Sequence, residues 1–443
     1  ESNCLSIEPL ETPLGRKRKV NLNSCNKDYS CLNGFCPSFI TVEGAMRRKE
    51  PKQKLDIPSL LAKVPDPQLP DLHAPYDLLV GGVGGTGVVT VGAALTMAAH
   101  LEGKGASVLD FTGFAQKFGT VVGYVRIART PDEINQVRIE AKSADAVIGC
   151  DVVVSSAPKA SVHYRKGTKV VLNRAEMPTG DLVLHRDAQL KVDEREALIR
   201  RTVGEENVFG LDANQLAVDL LGDSVFANTL LFGVAWQLGN IPISEVAIKQ
   251  AIKLNGTAVE ANIRAFDLGR VIAANPQMLN AKEKSFSQES AQQIIDYRSD
   301  ELATYHDDAY AQQYRDRLAR LSAALPDRIR EEALSLAAKS LFRLMAIKDE
   351  YEVARLLTSR QFEKQLRSEF EGDFRIKYHL APPVLGGQKD ARGRPRKRSY
   401  GGWMTPVLRL LSRARRLRGG WLDPFRFSRD RKLENETLAW FLA

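Results

Sequence analysis

No run of about 18 consecutive apolar residues occurs in this 443-residue chain, and no basic-then-apolar secretory leader opens it. A membrane span is therefore not expected, and a reducing cytoplasm, where disulfides are rare, is the expected compartment. Histidine is scarce as well, with six residues. His163, His185, His306 and His379 show no H-x3-H spacing and receive no chemistry, while His100 reads as a helix-end cation suited to the dipole. Cysteines number five and form no paired C-x2-C knuckle of the kind zinc ribbons favour. Net basic charge is absent from most of the chain. Residues 389–443 hold 15 Lys/Arg against 5 Asp/Glu, which leaves the other 388 residues close to neutral despite the overall +9. At 44% hydrophobic and 26% charged, the chain can bury a real core, and its length suggests two or three domains.

Four of the five cysteines lie near the start. Cys25, Cys31 and Cys36, the last followed by Pro37, sit on a short segment able to wrap an inorganic core, and Cys-Pro commonly closes such a run. Cys4 reads as the last step of an earlier run of the same kind. An iron–sulfur site on Cys4, Cys25, Cys31 and Cys36 is the leading expectation, as one 4Fe-4S cluster or as parts of two, because in two-cluster ferredoxins the fourth cysteine of each run serves the other cluster. A structural Cys4 zinc site in a non-catalytic scaffold is the competing reading, and disulfides are a weaker one. The chain begins at Glu1 without an initiator methionine, so it reads as a piece of something longer. Cys150 closes the apolar run from Ala146 and reads as core.

The second motif is Gly81-Gly82-Val83-Gly84-Gly85-Thr86-Gly87, between an apolar run at Asp77–Val80 and a helical pattern from Val88 to Leu101. Gly82, Gly84 and Gly87 match G-x-G-x-x-G, so Gly82, Gly84, Gly85, Thr86 and Gly87 are the candidate cofactor-binding residues. Glycine permits a tight turn and close approach to a phosphate, and the helix start offers free N–H groups to an anion. No Lys follows Gly87, which excludes a Walker loop. Asp110, 23 residues after Gly87, stands where an acid would bind ribose in an NAD(H)- or FAD-linked dehydrogenase. The bland alternative is a tight strand-to-helix turn with no ligand.

The chain divides by composition. Prolines at 51, 58, 65, 67, 70 and 75 mark a linker too proline-rich for helix or central strand. From Tyr76, short apolar runs (Asp77–Val80, Ser107–Asp110, Tyr124–Ile127, Asp145–Ile148, Asp151–Val154, Val170–Leu172) alternate with helical stretches and predict a mostly parallel sheet covered on both faces. Helices are expected over Ser224–Leu238 and Ser244–Leu254, each opened by serine, and over Val259–Ala273. A charged helical region follows, with helices at Ala309–Leu325 and Arg328–Leu357. The basic end, Arg392 to Arg398 and Arg409 to Arg418, admits three uses: binding nucleic acid, which too few aromatics support; docking an acidic protein; or folding against the chain's own acidic groups.

These residues carry a family resemblance. Cys25 to Val42, Gly82 to Thr90, Ala115-Gln116-Lys117 before Gly119, Leu254 to Glu260 with Asn262 and Arg264-Ala265-Phe266, and Phe374 to Pro383 together resemble the C-terminal half of the fused, bacterial-type indolepyruvate:ferredoxin oxidoreductases, within the 2-oxoacid:ferredoxin oxidoreductases. The resemblance implies a multidomain α/β chain. Its parts are a partial ferredoxin-like iron–sulfur segment (1–54), a Pro-rich linker (55–75), a Rossmann-like gamma-type α/β domain (76–275) and a helical, basic C-terminal extension (276–443). It implies oxidative decarboxylation of an aryl-2-oxoacid to an aryl-acetyl-CoA. Coenzyme A is then the cosubstrate, 4Fe-4S clusters carry electrons to ferredoxin, and the chain assembles as a homo-oligomer. Thiamine diphosphate and Mg2+ belong to a transketolase-like part N-terminal to these residues, so residues 1–443 alone are not expected to decarboxylate anything, and no catalytic residue is named. The chain departs from the pattern at Phe118, a bulky residue where a glycine is expected.

Overall fold

The structure, a computed structural model, describes the chain except residues 1–5, 11, 23–24, 26, 35, 37, 49–54, 113–118, 178–188, 278–289, 383–390, 392–395 and 443. Cys4, Pro37, Phe118 and the 392–395 part of the basic run therefore lie outside the described residues.

The strands are β1 (Ile7–Leu10), β2 (Lys17–Val20), β3 (Ile40–Glu43), β4 (Met46–Arg47), β5 (Tyr76–Val83), β6 (Gly105–Phe111), β7 (Thr120–Ala128), β8 (Ala146–Gly149), β9 (Lys169–Asn173), β10 (Val208–Leu211), β11 (Phe370–Glu371), β12 (Arg375–Leu380) and β13 (Arg398–Tyr400). Six form the central sheet in the order β10-β9-β8-β5-β7-β6. Because successive side chains of β5 point to opposite faces, Leu78 and Val80 join one core and Leu79 the other. The first core is closed by the helices Val88–Leu101, Ala227–Gln237, Glu245–Asn255 and Val259–Ala274. Ile199 and Val203, from the helix Val192–Val203, help close the second.

The sheet is parallel apart from β7, which runs antiparallel between β5 and β6. Only eight residues join β6 to β7, too few for the crossover that a parallel neighbour needs. Asp151–Val154 is a correction to the expected strands. Val152–Ser156 is helical, because the Asp151 carboxylate accepts the Val154 N–H at 2.7 Å and caps a turn that overrides the β-branched run. Strand β10, with Gly210 in its middle, escaped the sequence reading.

The proline-rich linker also differs from expectation. It carries a short helix, Ile57–Leu61, capped by Asp56, with Pro58 in the first turn, where a missing N–H costs nothing. The segment is a docked strap. Ile57 is buried, Leu55, Leu60, Val64, Leu69 and Leu72 pack on the first core, and Gln237 donates to Pro65 O at 2.7 Å.

Serine does cap Glu245–Asn255, through Ser244. Before Ala227, however, Ser224–Phe226 forms a 3-10 turn capped by Asp223. The expected helix Arg328–Leu357 is two, Asp327–Met345 and Glu350–Leu357, the second opened by Asp349. The C-terminal extension is not helical throughout. Strand β12 pairs antiparallel with β13 and with β3 of the cysteine segment, and β11 pairs with β4. The two ends of the chain thus share a frame around Tyr378, Leu380, Met404 and Leu408, against which Ile40 packs. Among the described residues, no helix is long and apolar enough to cross a membrane.

The basic end folds partly against the chain's own acids. Arg418 and Arg431, whose side chains are each 8% exposed, converge on Asp349. Arg409, Arg413 and Arg416 remain exposed.

Candidate functional site

At the glycine-rich motif, Gly81 and Gly82 lie inside β5 and not in the turn. A Cβ on Gly82 would stand 2.7 Å from Val88 Cγ2 and 2.8 Å from Cys150 Cβ, so this glycine permits close helix-on-strand packing. The turn itself is Gly84–Gly87. Gly85 and Gly87 have φ of +85° and +91°, a region costly for residues with a Cβ, and Gly87 occupies the N-cap of Val88–Leu101 without a side-chain cap. Gly85, Gly87, Val89 and Thr90 are exposed, which leaves the helix start open to an anion. Substituting Gly82→Ala is expected to cost about 1–3 kcal/mol by overpacking, read as a lowered urea midpoint; an unchanged midpoint would show that the helix and strand can part without loss.

Thr86 is turned inward. Its hydroxyl donates to Val83 O at 2.7 Å, so the side chain braces the turn and leaves ligand contacts to the backbone. Asn228, absent from the sequence reading, donates to Thr86 O at 2.8 Å from the start of the helix Ala227–Gln237. The next residue, Thr229, donates to Asn262 Oδ1 at 2.9 Å, and Asn262 donates to Thr257 O at 3.0 Å. The Leu254–Asn262 motif is thereby linked to the glycine turn. A polar pair, Asn228-Thr229, opening an otherwise apolar helix was the available signal.

Asp110 does not reach the position of a ribose-binding acid. Strand β7 separates β6 from β5, and the Asp110 carboxylate lies over Gly123, 2.6 Å from where a Cβ would be. Partial burial pushes its pKa up. The dinucleotide fingerprint needs the acid on the strand beside the glycine turn, and here that neighbour is β7.

Cys150 is buried at the end of β8, with its N–H donating to Gly81 O at 2.7 Å. Burial, reinforced by the charge of Asp151, pushes its thiol up to about 12, so it stays a neutral core thiol, as the sequence suggested.

Cys25, Cys31 and Cys36 are half-buried on one irregular segment with a single 3-10 turn, Ser30–Asn33. Asp28 Oδ1 accepts from Ser30 N and Ser30 Oγ, both at 3.0 Å, and Gly34 N–H donates to Cys31 O at 3.2 Å. The surroundings suit thiolates. Lys27 N–H donates to Cys25 Sγ at 3.4 Å, Lys348 Nζ lies 3.8 Å from Cys36 Sγ, and Lys397 Nζ donates to Cys36 O. Among the described residues, no three His, Cys, Asp or Glu side chains converge closely enough to hold a metal ion. The donor chemistry on this segment fits an iron–sulfur cluster, with Cys4 outside the described residues.

Residues 77–272 match the family described as pyruvate ferredoxin/flavodoxin oxidoreductase, and residues 291–443 match a family of unknown function, DUF6537. The chain is 30% identical over 210 residues to indolepyruvate oxidoreductase subunit IorB of Pyrococcus horikoshii, covering 98% of that protein and 46% of this chain. The Thermococcus kodakarensis subunit of the same name is 29% identical with the same coverage. Among solved structures, the chain is similar to pyruvate oxidoreductase subunit PORC of Thermotoga maritima (17% identity, TM-score 0.33, 44% of this chain and 96% of that one). It is also similar to 2-oxoglutarate:ferredoxin oxidoreductase of Magnetococcus marinus (19% identity, TM-score 0.33, 45% of this chain and 31% of that one).

Proposed function

Because this chain belongs to the 2-oxoacid:ferredoxin oxidoreductase family, with a gamma-type unit over residues 77–272, we propose that it is part of an enzyme that oxidatively decarboxylates aryl-2-oxoacids such as indolepyruvate. The observation that carries this reading is the near-complete coverage of an indolepyruvate oxidoreductase subunit by the unit bearing the glycine turn. In the overall reaction a 2-oxoacid and coenzyme A give an aryl-acetyl-CoA and carbon dioxide, and two electrons pass to ferredoxin. Thiamine diphosphate and Mg2+ belong to a partner part of the enzyme.

Within this reading, the open N–H groups at Gly85, Gly87 and the first turn of Val88–Leu101 receive phosphates of coenzyme A, and Asn228 holds the turn in shape. Cys25, Cys31 and Cys36, with Cys4, ligate 4Fe-4S cluster iron. When bound, a cluster supplies one-electron storage and transfer. The chain's own part is to wrap the site with a short turn and to keep the sulfurs close to N–H and ammonium donors.

The test is anaerobic purification with iron, acid-labile sulfide and zinc measured per chain, and a low-temperature EPR spectrum after dithionite reduction. Iron and sulfide with a reduced-cluster signal, lost in Cys31→Ser, are expected. Stoichiometric zinc without sulfide would replace this reading with a structural site.

A further inference from the structure

Residues 291–443 match a family to which no function is attached, yet they build much of the frame around the cysteine segment. Strand β3 begins four residues after Cys36 and is hydrogen-bonded to β12 in the register Tyr378↔Ile40, Lys377↔Thr41, Ile376↔Val42 and Arg375↔Glu43. From β12, His379 ties in both β3 and β13, with its Nε2 3.1 Å from Thr41 Oγ1 and its Nδ1 3.0 Å from Ser399 Oγ. The frame brings two lysines from distant sequence to one cysteine. Lys348 Nζ lies 3.8 Å from Cys36 Sγ, while Lys397 donates to Cys36 O and lies 5.9 Å from the Phe39 ring centroid.

We propose that Lys348, flanked by Lys397, is a positioning residue through which the C-terminal region sets the reduction potential of the cluster that Cys36 ligates. This inference rests on the iron–sulfur reading above and assigns the C-terminal region a role within it. Reduction adds one negative charge to a cluster, and a cation held near a ligating sulfur stabilises that added charge, so the potential rises. The Lys348 side chain is exposed, but its backbone is fixed. The next residue, Asp349, is buried and bound by Arg418 and Arg431, which holds the backbone at Lys348 in place. His379, on the same frame, is held below its usual range by burial and then by the charges of Lys397 and Lys377. Glu43 pairs with Lys377 at 2.7 Å and partly offsets that lysine, whereas Lys348 and Lys397 both contact Cys36 itself.

The experiment is an EPR-monitored potentiometric titration of the full chain, with iron and sulfide measured on each sample. Lys348→Gln is expected to keep its iron and sulfide and to shift the midpoint to more negative potential. Lys348→Arg is expected to restore the parent value, and Lys166→Gln, an exposed lysine of the α/β unit, to leave it unmoved. Full iron and sulfide with an unshifted midpoint in Lys348→Gln would overturn the role of Lys348 and leave the cluster reading standing. A parent chain without iron and sulfide would overturn the cluster reading and this inference with it. If Lys348→Gln assembles less iron, Lys397→Gln is titrated in its place, with the same negative shift expected and an unchanged midpoint counting against the proposal.

Discussion

Replacing Asp349 by Ala is expected to destabilise the C-terminal region by about 3–5 kcal/mol, the usual cost of removing one partner from a buried ion pair. The Asp349 side chain is 1% exposed. Arg418 meets it with two hydrogen bonds, Nε to Oδ2 at 2.6 Å and Nη2 to Oδ1 at 3.0 Å, and Arg431 Nη2 adds a third at 3.1 Å. The same carboxylate accepts the Glu352 N–H at 2.8 Å, capping Glu350–Leu357. Once it is gone, Arg431 still has Glu350 and Glu434, but Arg418 keeps only the Tyr305 carbonyl and the faces of Tyr305 and Tyr351. An unpaired guanidinium is then left in a dry site. Asp349→Asn separates the two roles, since asparagine still caps a helix but carries no charge, so it should lose less. Urea unfolding followed by tryptophan fluorescence suits the measurement, because Trp403, Trp421 and Trp440 all lie in this region and only Trp236 lies outside it. An Asp349→Ala midpoint equal to the parent's would mean that the arginines find water or other acids. If the cysteine frame depends on this anchor, the same variant should also lower iron content.

Gly233→Ala is expected to cost about 3 kcal/mol, at the upper end of ordinary overpacking. The helices Ala227–Gln237 and Val259–Ala274 cross with their backbones nearly touching. A Cβ on Gly233 would stand 2.0 Å from Phe266 O, and one on Gly269 would stand 2.1 Å from Leu230 O. Both obstacles are main-chain carbonyls, which cannot turn aside as a side chain can, so the helices must separate. Separation also moves Asn228, which holds Thr86 O, and so loosens the glycine turn. Gly402→Ala, where a Cβ would meet nothing within 4 Å, is the control and should change little. A Gly233→Ala chain with the parent's midpoint would show that the crossing tolerates the added methyl.

The glycine turn was legible because its signals are local. A strand, a turn needing positive φ and a helix follow one another within 26 residues, Tyr76 to Leu101, and each is written in its own side chains. Ser244 as a cap and Val259–Ala274 as a helix were readable for the same reason. The direction of β7 was not, since apolar alternation carries no sign of which way a strand runs. The turn at Asp151 defeated the β-branched run beside it, because one capping carboxylate outweighed a propensity that depends on context.

By itself, the sequence determined the family, the segment bearing the cysteines, the glycine turn and the sheet-with-helices character of residues 76–275. All of these depend on residue types at short spacing. The pairing of β3 with β12, the meeting of Lys348 and Lys397 at Cys36, the burial of Arg418 and Arg431 on Asp349, and the displacement of Asp110 from the turn by β7 were decided only in the tertiary structure. Several of these join residues hundreds of positions apart, and whether a charge ends in water or in a pair depends on which surfaces cover it, which no local pattern encodes.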